Sequence, residues 1–99
     1  MVYTLQIDNA AFKVFRKLSK DVKEKMLEES EVLKTNPLAG EPLKGKYKFL
    51  RSLHFSFKGS AYRVVYQVLS QTATVMVRLA ATRENIYRRL DEMKIKPGA

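Results

Sequence analysis

The residues best suited to chemistry lie in a stretch that carries cations and no carboxylates. All ten acidic residues lie at or before Glu41 or at or after Glu84. Between them, residues 42–83 carry eight basic residues: Lys44, Lys46, Lys48, Arg51, Lys58, Arg63, Arg78 and Arg83. Because no acid in this stretch can pair with them, they are predicted to meet the phosphates of RNA or an acidic protein partner. The alternative is a generally basic surface that keeps the protein soluble.

Alternation along residues 47–58 predicts a strand with one polar face, which carries His54, Ser56 and Lys58, with Lys48 at one end. Its apolar face would hold Tyr47, Phe49, Leu53, Phe55 and Phe57, interrupted by Arg51. Gly59-Ser60 is predicted to be a two-residue hairpin turn. That turn would pair Ser56 with Arg63, His54 with Val65 and Phe57 with Tyr62, and it would place Arg63 on the polar face.

A third strand is predicted over residues 73–81. If Ser70-Gln71 is again a two-residue turn, Val64 faces Val77 and Arg63 faces Arg78. Arg78 then lies on the polar face, although one extra loop residue would reverse this assignment.

A sheet face with several cations, one imidazole and no carboxylate is poorly suited to a divalent metal. It suits a phosphodiester, because guanidinium groups bind phosphate oxygens and offset charge that grows in the transition state. RNA can be cleaved without a metal when a base activates the ribose 2′-OH and an acid protonates the leaving oxygen. His54 could serve as either. It could also be a surface filler, Arg83 a helix cap, and Tyr87 a packing residue.

The elements that position these residues predict an α+β fold in a single domain over residues 1–99. Residues 2–7 alternate as a strand, Asp8 and Asn9 begin one helix, and Ser19 begins a second that ends before Pro37. The two helices would form an antiparallel hairpin that covers the sheet. A three-stranded antiparallel meander would complete a four-stranded sheet, and residues 84–94 would form a short C-terminal helix.

Composition narrows the class of protein further. The chain has 99 residues, a net charge of +9 and no cysteine, which excludes disulfides and thiolate chemistry. Its N-terminus lacks the layout of a signal peptide, and no apolar run reaches membrane-spanning length. We therefore expect a soluble cytoplasmic protein that contacts no membrane and needs no cofactor or metal.

Three local sequences, in this order and spacing, resemble the RelE/ParE superfamily of bacterial toxin–antitoxin toxins. They are NPLAGEPLKGKYKFLRSL after the second helix, YRVVYQV in the central strand, and TRENIY after the last strand. The resemblance extends over essentially the whole chain. It implies a RelE-like fold and, on the RelE side, a ribosome-dependent endoribonuclease that cuts mRNA and is neutralised by a cognate antitoxin.

The resemblance also implies roles for single residues. Arg63 matches the central-strand arginine that binds phosphate, and Arg83 matches a second catalytic arginine. Tyr87 matches the C-terminal tyrosine that stacks on an mRNA base. Where RelE-type toxins carry a pair of lysines, this chain has His54 and Ser56. That departure favours the alternative, a ParE-type poison of DNA gyrase, and a non-toxic RNA-binding module is a third possibility.

Overall fold

The fold is described from a computed structural model that covers residues 2–97, and its elements follow the predicted order. There are five strands, named β1 to β5: Thr4–Ile7, Glu41–Pro42, Arg51–Phe57, Ser60–Leu69 and Thr74–Thr82. Three α-helices, α1 to α3, span Asn9–Phe15, Lys20–Ser30 and Ile86–Met93. Short 3₁₀ turns lie at Glu31–Lys34, Gly45–Tyr47 and Ser70–Thr72.

The strands form one sheet in the order β1-β5-β4-β3-β2. β1 runs parallel to β5, and the other neighbours are antiparallel. The predicted α+β architecture is therefore confirmed, with one addition. The two-residue strand β2 extends the expected four-stranded sheet by pairing with Arg51 and Ser52 at the start of β3.

The helix hairpin covers one face of the sheet, as predicted. Asp8 caps α1, because its carboxylate accepts a hydrogen bond from the Ala11 N–H at 2.8 Å. Ala11 and Met26 from the hairpin pack with Val64 and Tyr66 of β4 in a buried cluster. Burial of this apolar stripe, rather than helix propensity alone, holds such short helices in place.

The opposite face of the sheet is covered in part by α3 and by the loop before β3. Ile86 and Leu90 of α3 pack there with Tyr47 and Val65. The prediction that Tyr47 and Phe49 share a face with Phe55 is wrong. The reason is local, since Gly45 has a positive φ of 65° and opens a 3₁₀ turn, which lacks the two-residue alternation of a strand.

The hairpin between β3 and β4 turns one residue earlier than predicted, at Lys58-Gly59. Both residues have positive φ, 50° and 80°, which is the geometry of a type I′ turn. The pairing therefore moves by two residues: Phe55 faces Tyr62, and His54 faces Arg63. Because the displacement is an even number of residues, the side chains of the paired residues in β3 and β4 keep their predicted faces.

The connection between β4 and β5 is longer than the expected two-residue turn. It contains the 3₁₀ turn at Ser70–Thr72, followed by Ala73 at a positive φ of 48°. Arg63 consequently faces Ala81 rather than Arg78, and Val64 faces Ala80 rather than Val77. A register irregularity opposite Val65 and Tyr66 leaves Arg78 without a direct cross-strand partner.

None of the helices within residues 2–97 is both long enough and apolar enough to span a bilayer.

Candidate functional site

A shallow depression lies where β3, β4 and the end of β5 meet. Its volume is about 240 Å³, and it is lined by His54, Phe55, Ser56, Ala61, Arg63 and Arg83. The structure thus brings together three of the four predicted catalytic residues, His54, Arg63 and Arg83. Each comes from a different strand or strand end, so the sheet register sets their relative positions.

Arg63 is the half-buried cation of this depression. Its Nε atom is buried and has no hydrogen-bond partner within residues 2–97. No carboxylate in the same range forms an ion pair with it. Leaving a buried donor of a charged group unsatisfied costs free energy, and an anionic ligand would supply the missing acceptor. Among the described residues, Arg63 therefore lacks the acceptor that its buried Nε requires.

Arg83 is placed beside Arg63 by a backbone contact. Its N–H donates to the carbonyl oxygen of Ala61 at 3.0 Å, which continues the β4–β5 pairing one residue past the end of β5. Its side chain is exposed and forms no ion pair with any described acid. Two guanidinium groups, one half-buried and one exposed, therefore line the same depression.

His54 supplies the titratable group of the depression. It lies in β3 directly opposite Arg63, and its imidazole is exposed to solvent. Ser56 follows two residues later on the same face. Histidine is a common general acid or base, and guanidinium groups bind phosphate oxygens, so this combination suits proton transfer at a phosphodiester.

Tyr87, the fourth predicted catalytic residue, does not line the depression. It lies on α3, is 42% exposed, and its ring is 6.2 Å from the ring of Tyr47. Its hydroxyl oxygen accepts a hydrogen bond from the Lys44 N–H at 3.0 Å. The hydroxyl hydrogen therefore stays available to donate to a ligand.

Four of the predicted RNA-binding cations are engaged by other groups. Arg78 pairs with Asp8 at 2.9 Å and is 13% exposed, and Lys58 pairs with Asp21. Lys46 pairs with an acid of α3, while Arg51 donates to the carbonyl oxygens of Gly40 and Leu38. The expectation of uncompensated cations is wrong for Arg78, Lys58 and Lys46, because the acids that pair with them lie outside the basic stretch. Arg51 contacts carbonyl oxygens only, so no described acid offsets its charge. The RNA-binding roles of these four cations, and those of the exposed Lys44 and Lys48, stay predictions.

One polar cluster was missed by the sequence analysis. Asp91 accepts hydrogen bonds from the Tyr47 hydroxyl at 2.5 Å and from Lys46 Nζ at 3.0 Å. The bond to Asp91, together with burial, raises the pKa of Tyr47, and both donors lower the pKa of Asp91. The available signal was the helical spacing of Tyr87 and Asp91, which places both on the side of α3 that faces the loop before β3.

Among residues 2–97 no three histidine or acidic side chains converge in a way that could hold a metal ion.

The chain is similar to toxins of bacterial toxin–antitoxin systems. A family model described as the ParE-like toxin of type II bacterial toxin–antitoxin systems matches residues 5–91. Among solved structures, an arginine-to-alanine double mutant of E. coli RelE in the free state is 26% identical with a TM-score of 0.76, and the match covers 95% of this chain and 97% of that one. A search of curated proteins found no matching sequence.

Two complexes are similar as well. The E. coli RelE mutant in complex with a peptide of the antitoxin RelB is 27% identical with a TM-score of 0.69, and the match covers both chains completely. The toxin–antitoxin complex RelBE2 of Mycobacterium tuberculosis matches at 23% identity and a TM-score of 0.70, over 86% of this chain and 95% of that one. At that identity the second likeness concerns the fold alone.

Proposed function

The chain belongs to the ParE-like toxins of type II bacterial toxin–antitoxin systems, and we propose that it acts as a ribosome-dependent endoribonuclease that cleaves mRNA. The observation that carries this proposal is the partnerless, half-buried Arg63 in one depression with His54 and Arg83. A phosphate oxygen would supply the acceptor that the Arg63 guanidinium lacks among the described residues. An imidazole beside that phosphate could take the proton of the ribose 2′-OH or give a proton to the leaving oxygen.

The proposed reaction needs no external oxidant, reductant or second substrate. A base takes the proton of the ribose 2′-OH, and the 2′ oxygen attacks the adjacent phosphorus. The bond from phosphorus to the 5′ oxygen breaks, and an acid protonates that oxygen. The products are a 2′,3′-cyclic phosphate and a 5′-OH end. His54 acts as base or acid, and Arg63 and Arg83 stabilise the charge that accumulates on the phosphorane.

Tyr87 is assigned to a contact at the edge of the site. The Lys44 N–H fixes its hydroxyl oxygen, and its exposed ring offers a surface on which a base can stack. Its free hydroxyl hydrogen would also suit a donor to the leaving oxygen. Both roles require the substrate to reach α3 from the depression.

A cognate antitoxin is proposed as the protein partner. One of the similar structures, the E. coli RelE mutant, is a complex with an antitoxin peptide. The described acids leave Arg63 and Arg83 unpaired, so an acidic segment laid across the depression would offset their charge and exclude RNA. Inhibition would then follow from occupation of the site itself.

A second candidate is supported by one specific feature. His54 and Ser56 stand where RelE-type toxins carry a lysine pair, and the matching family model is named for ParE-like toxins. A gyrase poison with this fold would need no cleavage chemistry. The two candidates therefore make opposite predictions about mRNA and about DNA supercoiling.

The test uses the purified protein and bacterial ribosomes programmed with a short mRNA. Primer extension maps new 5′ ends, and enzymatic phosphorylation without prior dephosphorylation identifies them as 5′-OH. We expect cleavage by the wild type, and loss of cleavage in the Arg63→Gln/Arg83→Gln double variant. The matched control is Arg88→Gln/Arg89→Gln, which removes the same charge from α3.

The same preparations are added to a gyrase supercoiling reaction. Intact mRNA together with blocked supercoiling would show that the protein is a gyrase poison and would contradict the proposed nuclease activity. Cleavage that survives in the Arg63→Gln/Arg83→Gln variant would leave an RNA-cleaving toxin but remove the depression as its active site.

A further inference from the structure

A second hollow lies between the C-terminal end of α3 and the loop that precedes β3. Its volume is about 460 Å³, within the roughly 300–1,000 Å³ typical of small-ligand sites. The rings of Tyr47 and Phe49 contribute to its wall, with centroids 6.4 Å apart. Tyr47 is buried and Phe49 is half-buried, so Phe49 is the ring that a ligand could reach.

The charge of this hollow is positive. Lys46, Lys94 and Lys96 line it and are exposed. The carboxylate that lines it, Asp91, already accepts hydrogen bonds from Tyr47 and Lys46, and Lys46 offsets its charge. Lys94 and Lys96 form no ion pair with any described acid, which leaves two cations without compensation.

The end of α3 is the feature of this hollow that would repel an anion, since a helix C-terminus carries partial negative charge. The backbone N–H of Lys94 bonds the carbonyl oxygens of Asp91 and Leu90, which satisfies part of that terminus. The Ile95 N–H approaches the Leu90 carbonyl as well, at 3.5 Å. Two full positive charges outweigh what remains of the dipole.

We propose that this hollow binds one nucleotide of single-stranded RNA, with its base stacked on Phe49 and its phosphate held by Lys94 and Lys96. Aromatic rings on a cationic groove are the usual platform for unpaired nucleic acid. The hollow is a second anchor for the strand whose scissile phosphate lies at Arg63, and in this respect it rests on the proposed function. Arg83 precedes the N-terminus of α3, and the hollow lies at its C-terminus. The eight residues of α3 make it about 12 Å long, a distance that a few nucleotides can span.

An acidic peptide is the competing occupant. It would pair with the two lysines but would gain nothing specific from an aromatic ring. A base gains stacking worth about 1–3 kcal/mol, which corresponds to a roughly five- to hundredfold change in affinity. Dependence on Phe49 therefore separates RNA from peptide.

The test measures binding of a 2′-O-methyl RNA decamer that carries 2-aminopurine, whose fluorescence falls when it stacks. The probe lacks a free 2′-OH, so binding is measured without cleavage. Phe49→Leu keeps the apolar volume and removes the aromatic face, and should weaken binding by about five- to hundredfold with less quenching. Lys94→Gln/Lys96→Gln should lower the log–log salt slope by roughly 0.7 for each phosphate that the variant no longer neutralises.

The matched control is Lys17→Gln/Lys20→Gln, an equal charge change at two exposed lysines near the α1–α2 junction. Equal losses in both double variants, or full quenching in Phe49→Leu, would overturn the proposal. A glutamate-rich peptide that displaces the probe and binds Phe49→Leu as well as wild type would also overturn it. Thermal melting followed by circular dichroism identifies any variant that fails to fold. If Phe49→Leu fails to fold, the salt dependence of Lys94→Gln/Lys96→Gln tests the proposal.

The same binding data separate this inference from the proposed function. Arg63→Gln should abolish cleavage on the ribosome, whereas the probe should still be quenched in the hollow at protein concentrations that saturate it. If the wild-type protein quenches the probe but does not cut mRNA, the proposed nuclease activity is wrong and the proposed RNA-binding role of the hollow still holds.

Discussion

His54 and Arg63 face each other across the β3–β4 hairpin, so their side chains leave the sheet side by side on one face. This relationship depends on the turn at Lys58-Gly59, because a slip of one residue would send one of the two side chains to the helix-covered face. The two residues that dominate the candidate site are therefore positioned by a turn four residues away from His54. The geometry of the candidate site therefore depends directly on the geometry of the hairpin.

Substitution of Arg63 is expected to change the stability of the fold much less than substitution of Arg78. Arg63→Gln removes a guanidinium whose Nε has no partner, so we expect a change within about 0.5 kcal/mol in the free energy of unfolding. Arg78→Gln breaks contacts to Asp8 and Gln67 and should cost about 1.5–3 kcal/mol. Urea denaturation followed by circular dichroism measures both. A larger loss for Arg63→Gln would make Arg63 a structural residue.

His54 is expected to affect rate rather than stability. Its exposed imidazole lines the depression, and His54→Ala should lower single-turnover cleavage on programmed ribosomes by at least about a hundredfold, the scale of acid–base catalysis. Ser56→Ala, on the same face two residues away, serves as the control for a small change at the site. A near-neutral effect of His54→Ala would dismiss His54 as the base or acid.

Much of the fold and part of the site were predictable because they depend on local pattern. The helix starts at Asp8 and Ser19 and the alternation of β3 depend on neighbouring residues, and the two helices and the strand formed as expected. Two details differ, since Ser19 makes no capping hydrogen bond and the strand begins at Arg51 rather than at residue 47. The error in the β3–β4 turn did no harm to the site, because a two-residue displacement preserves faces. The observed turn at Lys58-Gly59 places Arg63 opposite His54, whereas the predicted turn placed it opposite Ser56.

The ion pairs could not be predicted in the same way. Lys58 and Asp21 are 37 positions apart, and their contact depends on how the helix hairpin lies on the sheet. Arg78 and Asp8 meet because β1 pairs in parallel with β5, which places Ile7 opposite Val77. Sequence shows that a stretch lacks acids, but only packing shows which of its cations meet acids from elsewhere. Arg63 and Arg83 remain without an acidic partner among the described residues.

Gly40 is expected to be intolerant of any side chain. A Cβ at this position would lie 2.7 Å from the Tyr66 hydroxyl oxygen and 2.8 Å from the Ser52 carbonyl oxygen. Gly40→Ala should therefore destabilise the protein by about 1–3 kcal/mol through overpacking. The matched control is Gly45→Asn, because a Cβ there meets nothing within 4 Å and asparagine tolerates positive φ. Equal stability of the two variants in urea would contradict this reading.

Tyr66 is expected to hold the same loop through its hydroxyl. That group accepts from the Gly40 N–H at 2.8 Å and donates to the Pro37 carbonyl oxygen at 2.7 Å. Tyr66→Phe leaves both backbone groups without this partner and should cost about 1–3 kcal/mol. Because Gly40→Ala disturbs the same contacts, the double variant should lose less stability than the sum of the two single losses in a double-mutant cycle. Full additivity would show that they act independently.

The ion pair between Asp21 and Lys58 is expected to make stability depend on acid pH. Chiefly the hydrogen bond from Lys58, aided by one from Ser19, lowers the pKa of Asp21 from 3.8 to about 2. Because the folded-state pKa is the lower one, the carboxylate stabilises the fold fully above pH 4. That contribution is lost as the pH falls from about 4 to about 2. Asp21→Asn should therefore be less stable than wild type at pH 6, and the difference should shrink toward pH 2.

Glu24→Gln is the control, since Glu24 is an exposed acid of the same helix that pairs with no described cation. Its difference from wild type should stay constant over the same pH range. Urea denaturation at half-unit pH steps resolves the two behaviours. Salt adds a second criterion, because the exposed Asp21–Lys58 pair is screened at 1 M salt while a neutral hydrogen bond is not. A pH-dependent difference that persists unchanged at 1 M salt would assign the effect to the Ser19 hydroxyl rather than to Lys58.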